Sequence, residues 1–241
     1  MISTAIVLAA GEGSRLRSAS ASKPLCVAGG APLIDRALSG LAEAGIGRAI
    51  VVTGYRADDV EAYLANGEWP LAVQTVRTPD WRQLNGVSAR AAAPLVNGKP
   101  TLLLMCDHMV EPALYRRLAE QGAGAGLRLG IDRRLGHPWV DPDDVTFVKT
   151  EGDAITAIGK GMADHDAYDT GVFAVAAPLF DALAALSSPS ITDAVRLLAA
   201  NGQAGTVDCS DLEWLDVDDP RALALAADWG RTLPERLIVG K

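Results

Sequence analysis

An apolar run, Ile6-Val7-Leu8-Ala9-Ala10, empties into Gly11-Glu12-Gly13-Ser14-Arg15-Leu16, and Lys23-Pro24 follows shortly after. Glycines behind a buried strand bare their backbone N–H groups to an anion, because no Cβ blocks close approach. Arg15 and Lys23 bring two cations to the same loop. Together these residues suit a triphosphate, with Leu8, Ala9, Ala10, Gly11, Gly13 and Ser14 as candidate nucleotide contacts. Two commoner glycine loops do not fit. A dinucleotide fingerprint wants a third glycine opening a helix, where this chain has Leu16. A P-loop wants Gly-Lys-Ser/Thr, whereas Lys23 precedes Pro24, which has no hydroxyl for a metal. The plainer alternative is a strand-to-helix turn with incidental surface cations.

A polyphosphate in an acidic protein needs a divalent cation, and Mg²⁺ takes oxygen ligands. Leu102-Leu103-Leu104-Met105-Cys106 delivers one carboxylate, Asp107, to what would be a strand end. Alone, such an aspartate is as readily a turn residue. A second source is Trp214-Leu215-Asp216-Val217-Asp218-Asp219-Pro220. Asp218 or Asp219 suits a helix N-cap with proline at the first helical position, whereas Asp216 lies earlier, in a strand. Asp107 and Asp216 are therefore the expected metal ligands, with Asp218 as a substitute. His108, His137 and His165 show no ligand spacing, so no histidine is assigned to a metal. His108 stands either behind the ligands or in ordinary packing.

Ile158-Gly159-Lys160-Gly161 suits close approach to an acceptor's phosphate, and Tyr168-Asp169-Thr170-Gly171 follows it closely. Asp169 can accept hydrogen bonds from polyol hydroxyls; otherwise these are a turn lysine and a strand-edge aspartate. In Leu84-Asn85-Gly86-Val87-Ser88, Asn85 and Ser88 either read a base edge or, for Asn85, cap a helix.

The elements that must position these groups change character halfway along. Strand-like runs at 4–9, 48–53, 71–76 and 101–106 alternate with amphipathic stretches. One begins near Pro32 and stops at Gly45; another passes Val60, Tyr63 and Leu64 to Asn66-Gly67. Apolar strands joined by helices predict a doubly wound α/β sheet, which binds ligands at its carboxyl edge. From about 125 shorter β-rich runs follow, at 125–131, 144–149, 154–158 and 168–175, with turn signals such as Asp141-Pro142-Asp143 between them. Helices near 178–186 and 191–201, a strand at 213–217 and a helix from Pro220 complete the reading. The expected organisation is one domain, 1–241, with a nucleotide-binding half (1–124) and a smaller β-rich acceptor-binding half (125–241).

The 241 residues, 49% hydrophobic and 22% charged, suffice for a single large core. A net charge of −8 argues against nucleic acid as a partner. Cys26, Cys106 and Cys209 form no close pair, as in proteins of a reducing compartment. No basic segment precedes the first apolar run and no stretch is long enough for a bilayer. A soluble, cytoplasmic protein without membrane insertion is expected.

Taken together, the Gly11–Leu16 loop, Lys23-Pro24-Leu25, Asp107, Lys160 and Asp216 resemble the nucleoside-diphosphate-sugar pyrophosphorylase family of nucleotidyltransferases, from residue 3 to about 225. Asp107-His108-Met109, Gly159-Lys160, Asp169-Thr170-Gly171-Val172-Phe173 and Trp214-Leu215-Asp216-Val217-Asp218 are most similar to its CTP:inositol-1-phosphate cytidylyltransferases. The Asn85–Ser88 stretch resembles a base-side motif shared with choline-phosphate cytidylyltransferases. The chain departs in lacking the proline usual before Lys23, and in Gly86 where relatives repeat asparagine. The resemblance implies a Rossmann-like fold with a mixed, mainly parallel sheet, and Mg²⁺-dependent transfer of CMP from CTP to a phosphorylated polyol. Arg15, Lys23, Asp107 and Lys160 are then the catalytic residues, and Lys160, Asp169, Thr170 and Gly171 hold the acceptor. A homodimer, and a product that feeds a membrane phosphotransferase, belong to the same expectation. The rivals are a choline-phosphate, sugar-1-phosphate or molybdopterin nucleotidyltransferase and a non-catalytic nucleotide-binding subunit. Low aromatic content (5%) weighs against a choline box.

Overall fold

A computed structural model describes residues 1–232; the expected domain end at 241 lies outside the described residues. Strands β1 (Thr4–Ala9), β4 (Arg48–Thr53), β5 (Ala72–Arg77) and β6 (Thr101–Met105) form the parallel part of a nine-stranded sheet. Beyond β6 the sheet is mixed. It continues through β11 (Ala167–Val175), β8 (Leu127–Asp132), β12 (Ala204–Asp208), β10 (Ala154–Gly159) and β9 (Phe147–Glu151), with β11 antiparallel to β6. One sheet therefore runs through both halves of the sequence. Two small ribbons lie off it: β2 (Val27–Ala28) with β3 (Ala31–Pro32), and β7 (His108–Val110) with β13 (Trp214–Asp216).

Side chains alternate across a strand, so a strand apolar at every position must be covered on both faces. Ala5, Val7 and Ala9 of β1 enter one core, which is closed by α1 (Leu33–Glu43), α2 (Ala57–Asn66), α4 (Pro112–Gln121) and α7 (Pro220–Thr232). Ile6 and Leu8 enter the other, beneath α3 (Asn85–Val96), α5 (Ala177–Ala185) and α6 (Ile191–Ala200). This is the doubly wound arrangement. Strand order β5-β4-β1-β6 reverses direction at β1. The crevice beyond the carboxyl ends of β1 and β6 is thus the switch point where such sheets take ligands.

The structure adds elements that the sequence reading did not assign, namely β2, β3, β7, β12 and α4. It also moves some boundaries. Pro32 sits just before α1 rather than in its first turn. The strand expected at 144–149 begins only at Phe147, which leaves Asp144 in a loop.

Candidate active site

The chain leaves β1 at Ala9 and turns at Gly13, whose φ of +60° favours glycine. A Cβ there would lie 2.5 Å from Lys23 Cβ, so the missing side chain lets Lys23 cross beneath the turn. Lys23 ends 2.5 Å from Asp107 Oδ2, at the close of β6. Leu8, Ala9, Gly11, Lys23, Pro24, Cys106 and Asp107 line a small cleft at the switch point. Burial disfavours both charges of this pair. Each partner nevertheless overrides it: Lys23 is held above its ordinary pKa and Asp107 below its own.

Asp216 arrives by a separate route. In the β7–β13 ribbon it stands opposite His108, while the Val217 amide donates to the Asp107 carbonyl at 2.9 Å. Asp107, His108 and Asp216 offer ligand atoms within 4.8 Å of one another, and so do Asp144, Asp216 and Asp218. Asp216 Oδ1 is buried without a hydrogen-bond partner among the described residues. A buried carboxylate oxygen without a donor is costly unless a cation completes it. The residues present therefore fit a divalent metal.

Charge crowding says the same. Burial, then Asp216 and Asp144, push the Asp218 carboxyl up to about 7. Asp144 falls well below the usual carboxylate range, through a hydrogen bond with Asp218 and through Lys160 and Arg15. Arg15 pairs with Asp144 at 2.7 Å and also with Asp218; Lys160 pairs with Asp144. Burial would lower the His108 pKa, but Asp216 and Asp107 outweigh it and raise it to about 10.

A larger cavity opens beside this cluster. Lys160, Asp169, Gly171, Asn85, Asp144, Asp216 and Asp218 line it, together with Trp139, Phe173 and Trp214. Strand β11 loses register with β8 between Asp169 and Phe173, and Gly171 has a φ of +77°. This bulge turns Asp169 into the cavity. Its Oδ1 accepts the Gly171 amide at 2.7 Å, and burial raises its carboxyl to about 6.

The structure thus brings Lys23, Asp107, Asp216, Arg15 and Lys160 around one centre, with Asp169 on the cavity wall. Thr170 is different: its fully buried hydroxyl donates to the Gly130 carbonyl, so its side chain is not offered to the cavity. Ser88 is buried inside α3. Asn85 does not cap its own helix; its Oδ1 accepts the Ile191 amide at the start of α6. Asp219, not Asp218, caps α7, through the Ala222 amide. Asp144 was missed, because Asp141-Pro142-Asp143 reads as a turn, and Asp141 does accept the Asp143 amide there. His108, read from the sequence as standing behind the ligands or in ordinary packing, joins the acidic cluster because the β7–β13 ribbon sets it opposite Asp216. Three of the few aromatic rings gather in this cavity.

A mixed α/β sheet with a parallel nucleotide-side half, a glycine turn holding a lysine, and carboxylates meeting at the switch point are the features of the nucleotidyltransferase class. The chain belongs to the MobA-like NTP transferase domain family, which it matches over residues 5–188. It is 32% identical over 230 residues, 93% of its length, to a bifunctional IPC transferase and DIPP synthase of Rubrobacter xylanophilus, covering 51% of that protein. A protein of the same name from Aquifex aeolicus is 29% identical over 91% of this chain and 50% of its own length. The chain spans about half the length of these relatives. At 29% identity it also resembles the CMP-5'-(3-aminopropyl)phosphonate synthase of Streptomyces rubellomurinus, covering 90% of this chain and 37% of that one. Among solved structures, the inositol-1-phosphate CTP transferase of T. maritima superposes with a TM-score of 0.87 at 21% identity, covering 98% and 97% of the two chains. No described helix is long and apolar enough to cross a membrane.

Proposed function

We propose that this chain transfers CMP from CTP to a phosphorylated polyol, inositol 1-phosphate, releasing pyrophosphate. The observation that carries the reading is the meeting of two clefts at Asp107, His108 and Asp216. One cleft, behind the glycine turn, suits a triphosphate; the other, beside Lys160 and Asp169, suits a phosphorylated acceptor. The T. maritima neighbour, described as an inositol-1-phosphate CTP transferase, suggests the acceptor and the base.

The reaction needs no protein nucleophile. A phosphomonoester is largely dianionic at neutral pH, so its own oxygen attacks the α-phosphorus in line and expels pyrophosphate. The protein's part is positioning and charge neutralisation. Backbone amides from Gly11 to Ser14, with Arg15 and Lys23, hold the departing β,γ-phosphates. Lys160 exchanges Asp144 for the acceptor phosphate, and Asp169 accepts hydrogen bonds from acceptor hydroxyls. Asp107 and Asp216 would hold Mg²⁺, which supplies charge stabilisation at the α-phosphate.

A second reading takes an acceptor that carries an ammonium group, as in a phosphorylated amino alcohol or an aminoalkyl phosphonate. Trp139, which is partly exposed, lines the acceptor cavity together with Asp141 and Asp169, which favours it. One experiment separates the two. CTP is mixed with inositol 1-phosphate, phosphocholine or 2-aminoethylphosphonate, and pyrophosphate is measured. Release with inositol 1-phosphate alone supports the first reading; release only with the amines replaces it.

A further inference from the structure

We propose that His108 Nε2 is a third ligand to the divalent cation at Asp107 and Asp216, an inference that rests on the metal-dependent reading above. The protonation pattern of the ring follows from geometry. Nδ1 lies 2.8 Å from the carbonyl oxygen of Thr170, which can only accept, so Nδ1 carries a proton. Nε2 is the atom left to face the carboxylates. It stands 3.5 Å from Asp216 Oδ2, longer than the roughly 2.7–2.9 Å of a charge-assisted hydrogen bond. The same nitrogen belongs to the group of ligand atoms within 4.8 Å of one another. An imidazole whose other nitrogen donates to a backbone carbonyl is set as metal-bound histidines are.

The surroundings hold the ring in that pose. Trp214 stacks against it, with ring centroids 6.1 Å apart and planes 13° from parallel. The Trp214 indole is tied in turn to Asp132 by a 2.8 Å hydrogen bond. A Cβ on Gly171 would collide with the imidazole, so glycine there leaves the space that the ring occupies. The unpartnered Asp216 Oδ1 is separate from all of these contacts, and it too lacks what a cation would provide.

Two carboxylates and one imidazole are not the all-oxygen shell that Mg²⁺ prefers. Imidazole suits the later first-row ions such as Zn²⁺ best, and Mn²⁺, though also oxygen-loving, takes a nitrogen ligand more readily than Mg²⁺ does. The nucleotide-free protein is therefore expected to hold Mn²⁺ more tightly than Mg²⁺, through a nitrogen as well as oxygens.

The test is pulsed electron paramagnetic resonance of Mn²⁺ added to nucleotide-free protein, so that no base nitrogen contributes. The expected result is ¹⁴N coupling that converts to ¹⁵N coupling when the protein is grown on [¹⁵N]histidine. In His108→Gln the coupling should vanish and Mn²⁺ affinity fall at least about 10-fold. Mn²⁺ bound without nitrogen coupling, or with coupling that survives His108→Gln, overturns the inference and leaves the two-carboxylate reading standing. No Mn²⁺ binding, together with no pyrophosphate from CTP and any acceptor, overturns that reading itself. Histidine labelling uses the unaltered chain, so misfolding of the variant does not decide the matter.

Discussion

Lys23 Nζ lies 2.5 Å from Asp107 Oδ2, so the cation of the glycine turn neutralises the carboxylate at the end of β6. Neither charge is comfortable alone at that depth. On the proposed function, an arriving triphosphate would offer Lys23 better partners and free Asp107. Lys23→Met should therefore do more than weaken nucleotide binding. Turnover is expected to fall about 10²–10³-fold, the usual cost of losing one group aimed at developing charge. Steady-state pyrophosphate release checks this. A rise in the KM for CTP with kcat unchanged would instead mean that Lys23 binds ground and transition states alike.

Gly13→Ala tests the turn itself. Its left-handed backbone costs an alanine about 1–2 kcal/mol, and the added Cβ meets the Lys23 side chain at 2.5 Å. A lower melting temperature and a raised KM for CTP should appear together, since the strain falls on Lys23, the cation proposed to hold the phosphates. Unchanged kinetics in a destabilised variant would detach the turn from the site.

The crowded carboxylates make stability depend on pH with a definite sign. Asp218 rises from 3.8 in the unfolded chain to about 7 when folded. The folded state therefore binds the extra proton, and stability declines as pH climbs from about 4 to 7. Asp169, raised to about 6, acts in the same direction. With no cation beside it, His108 is raised from 6.5 to about 10 and acts the same way, losing its contribution as pH rises through 10; a cation bound at Nε2 displaces that proton. A divalent cation bound at this cluster, as proposed, would relieve the carboxylate repulsion. Thermal unfolding should show a larger gain from Mg²⁺ or Mn²⁺ at pH 8 than at pH 6, and the difference should shrink in Asp218→Asn. An equal gain at both values would count against a metal in this cluster.

Periodicity made the four parallel strands and the glycine turn readable, because an uninterrupted apolar run such as Leu102–Leu104 admits little besides a strand covered on both faces. The same logic delivered Asp107 to the sheet's edge. What it could not deliver was the ribbon that sets Asp216 against His108. Three residues per strand carry no period, and their pairing spans more than a hundred positions of chain. Asp144 was hidden for a related reason: its aspartate-rich neighbourhood satisfies a turn locally, and its tie to Lys160 and Arg15 exists only in three dimensions. Thr170 erred in the opposite way. It lies next to a cavity residue, but its own hydroxyl turns to the Gly130 carbonyl.

Asp132 is fully buried and is held by the Arg134 guanidinium at 3.0 Å and the Trp214 indole at 2.8 Å. Trp214→Phe keeps an aromatic ring against His108 but removes the indole N–H. Losing one hydrogen bond to a buried carboxylate should cost about 1–3 kcal/mol in urea unfolding. Because the same side chain fixes the ribbon that carries Asp216, the concentration of Mg²⁺ giving half-maximal rate should rise as well. Lost stability with unchanged metal dependence would confine Trp214 to packing.

Asn85 separates two roles within one side chain. Its carbonyl oxygen is committed to the Ile191 amide at 3.0 Å, where it satisfies one of the free donors at the start of α6. Its amide NH₂ is left as a donor on the cavity wall. Cytosine presents two acceptors, N3 and O2, on its pairing edge, whereas uracil presents a donor at N3. Asn85→Asp keeps an oxygen for Ile191, and a negative charge is favourable at a helix N-terminus. The melting temperature should therefore hold, while the preference for CTP over UTP drops by about 1–2 kcal/mol, or 5- to 30-fold in kcat/KM, the order expected when one donor to the base is lost. Asn85→Ala should lose both the preference and about 1 kcal/mol of stability. If Asn85→Asp discriminates between the two nucleotides as well as the parent does, Asn85 serves α6 alone and the base is read elsewhere.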